Sequence, residues 1–155
     1  MRLRVLARLS LSCVAVLLSA CVMFSTEKQA KPYEAFVYLD RTIFVFPYAD
    51  IFKFQTSQFT EHAASDLEDV VRFAKQHASM HISITVYTDD ALNSLTSMVE
   101  DKFAASAVAA FLWSEGVTNT MEYSAHTRGS HFVSSNRSAQ IGKVNRRVEV
   151  EFSYG

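Results

Sequence analysis

The stretch Asn145-Arg146-Arg147-Val148-Glu149-Val150-Glu151-Phe152 has the clearest secondary-structure pattern in the chain. From Val148 onward apolar and acidic residues alternate, so every second side chain points to the same side of an extended backbone. The pattern predicts a half-buried β-strand over residues 147–152, with Val148, Val150 and Phe152 facing the core. A long loop rich in Ser, Asn and Arg precedes it over residues 126–144.

Further strand patterns lie upstream of this segment. Residues 81–87 alternate with Ile82, Ile84 and Val86 on one face, and residues 121–125 form a second short strand. Tyr33 to Phe54 is dense in aromatic and β-branched residues, which predicts two or three more short strands.

Two helices are predicted between the strands. The first follows Thr60, which we expect to cap its N-terminus, and runs for about four turns with apolar residues at helical spacing. The second runs from about Ser97 to Glu115, and Gly116 provides its C-terminal stop. Its core-facing residues are Ala104, Ala107, Val108, Phe111 and Leu112. Two long helices on a small mixed sheet predict an α/β (α+β) two-layer sandwich.

The N-terminus has the layout of a secretory signal peptide. A basic start is followed by an apolar run over residues 9–18 and by the small residues Ser19 and Ala20. The run is too short to remain as a membrane-spanning helix, which needs about 20 apolar residues. Cys21 directly after Leu-Ser-Ala resembles the lipobox of bacterial lipoproteins. The resemblance implies that Cys21 becomes the acylated first residue of the mature chain, carrying chains such as palmitate; the alternative is an ordinary signal peptide.

Charge and cysteine content exclude several classes of protein. Without the three signal-peptide arginines, 12 basic residues remain against 16 acidic ones, a formal charge of −4. No overall positive field would therefore attract nucleic acid. The only cysteines are Cys13 and Cys21, so a Cys-rich metal site and a CxxC redox motif are excluded.

No catalytic or cofactor motif stands out. His126 and His131 lie in one loop, but a third ligand at a suitable spacing is missing, and solvated loop histidines are the better interpretation. No Gly-x-Ser-x-Gly elbow supports a hydrolase. We expect a protein that is not an enzyme and that holds neither a metal nor a cofactor.

Two fragments resemble the peptidoglycan-associating domain of OmpA, of the Pal lipoprotein and of the flagellar stator protein MotB. The first is Thr88-Asp89 at the end of a central strand, and the second is Asn145-Arg146-Arg147-Val148 at the start of the last strand. Between them, Ala105 and Val108 fall where the family has the Ala and Val of its central helix. Asn136 precedes the second fragment at the distance expected in the family. The resemblance covers roughly residues 50–152, and the size and layout also look similar to the IcmN/DotK type of lipoprotein that accompanies type IV secretion.

The resemblance implies a binding chemistry. In the family an Asp takes the ammonium of the diaminopimelate side chain and an Arg takes its carboxylate. Asp89 occupies the Asp position, with Thr88, Asn145 and Arg146 shaping the pocket. The family Arg position is Ala104, and Glu100-Asp101 replaces a Leu-Ser pair, so a carboxylate ligand is expected to meet net negative charge. Arg146 or Arg137 could supply the missing cation.

Plainer interpretations stand beside these site assignments. Asp89 at a strand end also suits a turn or a cap. Asn145 and Arg146 also suit a role in organising the loop before the last strand. The Phe-rich segment from Tyr33 suits either core or an added strand that pairs with the sheet edge of a partner.

The predicted domain order is a lipoprotein signal peptide (1–20), a lipidated tether (21–32), an aromatic N-terminal strand extension (33–49) and an OmpA-like domain (50–155). The first hypothesis for function is an outer-membrane lipoprotein that associates non-covalently with peptidoglycan and anchors the membrane or an envelope complex to the wall. Val22 after the cysteine, where Asp would signal inner-membrane retention, favours the periplasmic face of the outer membrane. The alternative is a structural subunit of an envelope-spanning type IV secretion system that uses the fold for protein contacts and has lost peptidoglycan binding.

Overall fold

The computed structural model describes residues 31, 33–53, 56–87, 95–126 and 145–155, the first three residues of the 95–126 range by their backbone alone. These residues belong to one unit, residues 31–155. The lipobox cysteine Cys21, the motif residues Thr88 and Asp89, and the loop residues Asn136 and Arg137 all lie outside the described residues.

Five strands form one mixed sheet. The strands are β1 (Glu34–Val37), β2 (Arg41–Pro47), β3 (His81–Tyr87), β4 (Met121–His126) and β5 (Arg147–Ser153), in the spatial order β1-β2-β5-β3-β4. Strands β3 and β4 are parallel, and the other neighbours are antiparallel. The last strand of the chain therefore lies in the middle of the sheet, between β2 and β3.

Within the described residues, four helical segments accompany the sheet: α1 (Tyr48–Ile51), α2 (Ala63–Asp66), α3 (Glu68–Gln76) and α4 (Leu95–Ser114). Helix α4 is the crossover between the parallel strands β3 and β4, a connection that such a pair needs. It ends in a Schellman motif: Gly116 has φ 81°, and Val117 N–H donates to the carbonyl of Leu112 at 3.0 Å. The predicted stop at Gly116 is confirmed.

The first predicted helix differs from its expected form in two ways. It is divided at Leu67, which has φ −83° and ψ −6°, into α2 and α3. Thr60 does not cap it: the Thr60 hydroxyl donates to the carbonyl of Asp50 at 2.7 Å, and the residue before α2 is His62, without a side-chain cap bond. The cap prediction is wrong because the Thr60 side chain instead bonds to the end of a neighbouring helix in the fold.

The core lies between the helices and one face of the sheet. The alternation predicted for the central strands is confirmed, since Ile82, Ile84 and Val86 of β3 and the apolar residues of β5 are fully buried. Val70 and Val71 of α3 and Val108 and Leu112 of α4 belong to the same core cluster. The fold is thus the predicted mixed α/β sandwich of two layers.

The aromatic segment before residue 50 contributes two strands to this sheet. Strand β2 pairs with β5 from Arg41 to Pro47, and Phe44 and Phe46 are buried in the core. Strand β1 lies at the edge, and its four residues are exposed. Among the described strands, β1 is therefore the edge strand on this side of the sheet, and β2 is covered by β1 and β5.

Candidate functional site

The candidate site lies at the end of the sheet where β5 begins, beside the Asn-Arg-Arg-Val fragment of residues 145–148. Because β5 is antiparallel to β3, Arg147 at its start pairs with Tyr87 at the end of β3. Because β4 is parallel to β3, His126 also pairs with Tyr87. We call this region the motif end of the sheet. Strand β3 ends here at Tyr87, the described residue that precedes Thr88 and Asp89 in the sequence.

Arg146 lies between the sheet and helix α4. Its Nη2 atom is 3.3 Å from Oδ1 of Asp101, and its guanidinium carbon lies 3.9 Å from the ring centre of Tyr48. The Arg146 side chain is 13% exposed, and its Nε atom is buried with no hydrogen-bond partner within the described residues. The motif arginine therefore contacts both the long helix and the segment after β2.

Asp101 faces the interior of the protein. The residue is 0% exposed and lies on α4 one turn before Ala104, which is also fully buried. A buried carboxylate is tolerated when a cation compensates it, and Arg146 supplies that cation. This corrects the expectation that Asp101 adds uncompensated negative charge to the pocket. Arg146 is also the cation that the sequence proposed as a replacement near position 104, and it does reach this part of α4.

Tyr48 joins the same cluster from the other side. Its backbone N–H donates to the carbonyl of Arg146 at 3.0 Å, and its hydroxyl donates to the carbonyl of Thr56 at 2.8 Å. Burial raises the pKa of Tyr48 to about 12, an effect that the nearby Arg146 charge partly opposes. The phenol is therefore neutral at physiological pH and presents its ring face to the guanidinium, the arrangement that favours a cation–π contact.

Arg147, the second arginine of the motif, lies on the opposite face of the sheet. Its Nε donates to Glu149 Oε1 at 2.5 Å, and its guanidinium carbon lies 4.1 Å from the ring centre of Tyr87. Burial, and next the charge of Glu149, raise the pKa of Tyr87. The Tyr87 ring also stacks on His126 at 5.7 Å. Each of the two adjacent arginines thus contacts one carboxylate and one aromatic ring, Arg146 on the core face of β5 and Arg147 on the opposite face.

Asn145 is fully buried, and its carbonyl accepts a hydrogen bond from Arg147 Nη1 at 3.2 Å. The roles predicted for Asn145 and Arg146, in ligand binding or in organising the preceding loop, stay predictions. The structure brings these two predicted site residues together, whereas Thr88 and Asp89 are outside the residues it describes.

Sequence reasoning missed two members of this region. These are Tyr48 and Tyr87, to which the sequence assigned no role in the site. A signal was present in the sequence, because Tyr48 directly follows the strand-like residues 41–47 and Tyr87 ends the strand-like residues 81–87. The sequence alone did not indicate which arginine faces which ring.

The chemistry of the described part of the site is that of a structural polar cluster. Moving Arg146 onto an external carboxylate would break its buried ion pair with Asp101, which costs several kcal/mol. Lys102, two positions along α4, is exposed, as its angle around the helix predicts. Over the described ranges, three or more His, Cys, Asp or Glu residues do not cluster in a way that could hold a metal ion. Nor does any described helix have the length and apolar character needed to cross a membrane.

The comparisons with known proteins were made on sequence and on structure. No family model and no curated protein matches the sequence. Solved structures do match. The periplasmic domain of Helicobacter pylori MotB has a TM-score of 0.70 and 18% identity over 83% of each chain. The cell wall anchor of the T6SS from Pseudomonas aeruginosa has a TM-score of 0.71 and 16% identity over 84% of this chain and 93% of that one.

The third similar structure is the peptidoglycan-associated lipoprotein from Burkholderia pseudomallei, with a TM-score of 0.57 and 22% identity over 70% of this chain and 94% of that one. The chain has the OmpA-like fold. This confirms the fold that the motif resemblance implied, at sequence identities too low to carry a function across. The link to the IcmN/DotK type stays a prediction.

Proposed function

We propose that this protein is a cell-envelope anchor whose OmpA-like domain associates non-covalently with peptidoglycan. Its ligand would be the diaminopimelate side chain, with Asp89 accepting the ammonium group. Three structural neighbours carry names that refer to a cell wall anchor, a periplasmic MotB domain and a peptidoglycan-associated lipoprotein. These names support the class of ligand, and the residues of this chain define the expected site.

One observation carries the proposal. The sheet places the start of β5, with Asn145 and Arg146, beside the end of β3, from which the chain passes into Thr88 and Asp89. Tyr87 and Arg147 are sixty residues apart in the sequence and pair in the sheet. Because each lies next to or within one of the two fragments, this pairing supports a binding site that both fragments would share.

The cluster around Arg146 sets an expectation for ligand preference. Arg146 is matched by Asp101 and Arg147 by Glu149, so both motif arginines are already bound to carboxylates of the fold. Recognition would therefore depend more on the ammonium group, through Asp89, than on the carboxylate group of diaminopimelate. We expect a diaminopimelate amide to compete for binding nearly as well as the free acid does.

Retention of residues 22–155 on purified sacculi tests the site. Asp89→Ala should lower the retained fraction at least severalfold, because a charge-assisted hydrogen bond to the ammonium is lost. Asp90→Ala is the matched control, since it removes the same charge one residue away. Equal retention of the Asp89→Ala variant and the wild type would remove Asp89 from the site.

Membrane attachment is a separate part of the proposal. Two or three acyl chains on Cys21 would hold the protein firmly at the periplasmic face of the outer membrane, because each buried CH2 contributes about 0.8 kcal/mol. The variant Cys21→Ser should appear in the soluble periplasmic fraction. Continued sedimentation of that variant with membranes would contradict acylation at Cys21.

A second candidate function is a structural subunit of an envelope-spanning secretion system, of which type IV is the one that the sequence suggests. Exposed apolar residues at the β1–β2 turn favour it: Val37, Tyr38 and Leu39 are all exposed. In this case Asp89→Ala would leave sacculus binding unchanged, and Leu39→Glu would release the protein from the envelope complex.

A further inference from the structure

Helix α4 carries a second apolar face, opposite the one that enters the core. Phe103 is 60% exposed and Trp113 is 58% exposed, and Val99 and Ala110 are also exposed. A helix that is apolar on all sides is normally covered on all sides. The inward face of α4 packs in the core through Ala104, Val108 and Leu112, whereas no described residue buries the outward face.

The outward residues form one straight row. Val99, Phe103, Ser106, Ala110 and Trp113 follow each other at spacings of four, three, four and three residues. This spacing is that of the contact seam of a coiled coil, in which each row residue packs against the row of a second helix. We call these five residues the α4 row. It spans about 21 Å at 1.5 Å per residue.

The α4 row is complementary to itself when it is reversed. Ser106 is its midpoint: Val99 and Trp113 lie seven residues to either side, and Phe103 and Ala110 lie three and four residues to either side. In an antiparallel pair, Ser106 therefore meets the partner's Ser106, and at each level on either side a smaller side chain meets a larger one. Val99 faces the partner's Trp113, and Phe103 faces the partner's Ala110. A parallel pair would instead place Trp113 on the partner's Trp113 and leave a gap at Ala110.

We propose that the α4 row is the contact surface of a two-fold symmetric dimer, in which α4 packs antiparallel on α4 of a second copy of this chain. Each copy uses the same patch, as a two-fold axis requires. The small residues Ser106 and Ala110 allow the helices to approach within the usual 8–10 Å. The inference is independent of the proposed function, because the row lies on the side of α4 away from Asp101 and Arg146.

The size of the surface predicts a weak, reversible dimer. At their observed exposures the apolar side chains of the row offer on the order of 400 Å² per copy, because a whole aromatic side chain presents about 150–250 Å². A standard stable interface buries about 800 Å² per partner. A membrane surface is the less suitable occupant: Glu100 and Lys102 flank the row with opposite charges, so no net positive charge would attract anionic lipid.

Analytical ultracentrifugation of residues 22–155 is the first test. This fragment contains the whole described sheet and core and has no cysteine. Dimers should be present at about 100 µM, the range expected of a small interface. Phe103→Glu and Ala110→Glu should each give monomers while the circular dichroism spectrum stays unchanged. Leu39→Glu is the matched control, an exposed apolar residue at the β1–β2 turn, and should leave the dimer intact.

Cysteine cross-linking tests the orientation. In the cysteine-free fragment, the Ser106→Cys variant should form a disulfide between residue 106 of one copy and residue 106 of the other, because Ser106 lies at the two-fold axis. Val99→Cys and Trp113→Cys should cross-link only when the two variants are mixed, since a disulfide needs Cα atoms within about 7 Å. Self-linking of Trp113→Cys would indicate a parallel pair and overturn the proposal. Three other results would also overturn the proposal. These are monomers at every concentration, binding of the fragment to lipid vesicles that Phe103→Glu abolishes, and dimers that dissociate in the Leu39→Glu variant alone.

Discussion

The buried pair of Arg146 and Asp101 gives the sharpest prediction about this fold. Arg146→Met removes the Arg146 cation from beside the Asp101 carboxylate, which is 0% exposed. At the observed N–O distance of 3.3 Å the attraction between the charges is about 5 kcal/mol for an effective dielectric constant of about 20. Since removing one partner of a buried pair costs about 3–5 kcal/mol, we expect Arg146→Met to lower the free energy of unfolding by that amount.

Two further variants separate the charge pair from the contact with Tyr48. Arg146→Lys keeps a positive charge but loses the planar stacking on the Tyr48 ring, which predicts a smaller loss of about 1–2 kcal/mol. The double variant Arg146→Met with Asp101→Leu replaces both charges by apolar groups. It should recover to within about 1 kcal/mol of the wild type, because apolar replacement of a whole buried pair is often neutral.

Urea unfolding followed by far-UV circular dichroism measures these differences. Fluorescence is less suitable, because Trp113 is exposed and reports poorly on the core. The double-mutant cycle should show a coupling energy of about 2 kcal/mol or more. A loss below about 1 kcal/mol for Arg146→Met, or a double variant whose loss equals the sum of the single losses, would refute the account of the pair.

Three further predictions concern the core, the pH dependence and the end of α4. Phe46→Ala should cost about 3–5 kcal/mol in urea unfolding because Phe46 is fully buried, whereas Phe36→Ala at the sheet edge should cost far less. The pKa of Tyr48 is raised to about 12, so the stabilisation that depends on the neutral phenol is complete below about pH 10 and is lost as the pH rises toward 12. Tyr48→Phe should therefore show a smaller loss of stability between these pH values in chemical unfolding, and an unchanged slope would contradict this. Gly116→Ala should lower the free energy of unfolding by about 1–2 kcal/mol through backbone strain alone, since φ is 81° and no atom lies near the added Cβ; a neutral effect would contradict the strain.

The strands and helices were largely predictable from the sequence. Residues 81–87 and 147–152 alternate because one face of the sheet is buried by helices and the other is not, and this period of two is visible in any sequence that obeys it. The helix before Gly116 was equally clear, because its core face repeats at helical spacing and a residue with positive φ ends it.

The contacts between distant residues were not predictable. The Thr60 hydroxyl could either accept a hydrogen bond from a backbone N–H at the start of its own helix or donate one to the carbonyl of Asp50, and only the packing of α1 against α2 decides between them. Asp101 and Arg146 are 45 residues apart, so the sequence showed an added acid and a missing base without showing that the two charges meet.

The aromatic segment illustrates a different limit. Residues 33–49 lie before the point at which the family resemblance begins, which suggested an extension. The burial of Thr42, Phe44 and Phe46 on alternate positions shows a strand inside the sheet. The alternation of residues 42–46 was visible in the sequence, whereas the pairing of β2 with β5 could be seen only in the structure.

Competition for binding to sacculi tests the central claim most directly. Residues 22–155 are mixed with purified sacculi, and free diaminopimelate is added at increasing concentration, with pimelate as the control because it is the same dicarboxylate without the ammonium groups. The account predicts retention that diaminopimelate abolishes. Absence of retention, or retention that diaminopimelate leaves unchanged, would contradict it and leave an OmpA-like fold that serves protein contacts instead.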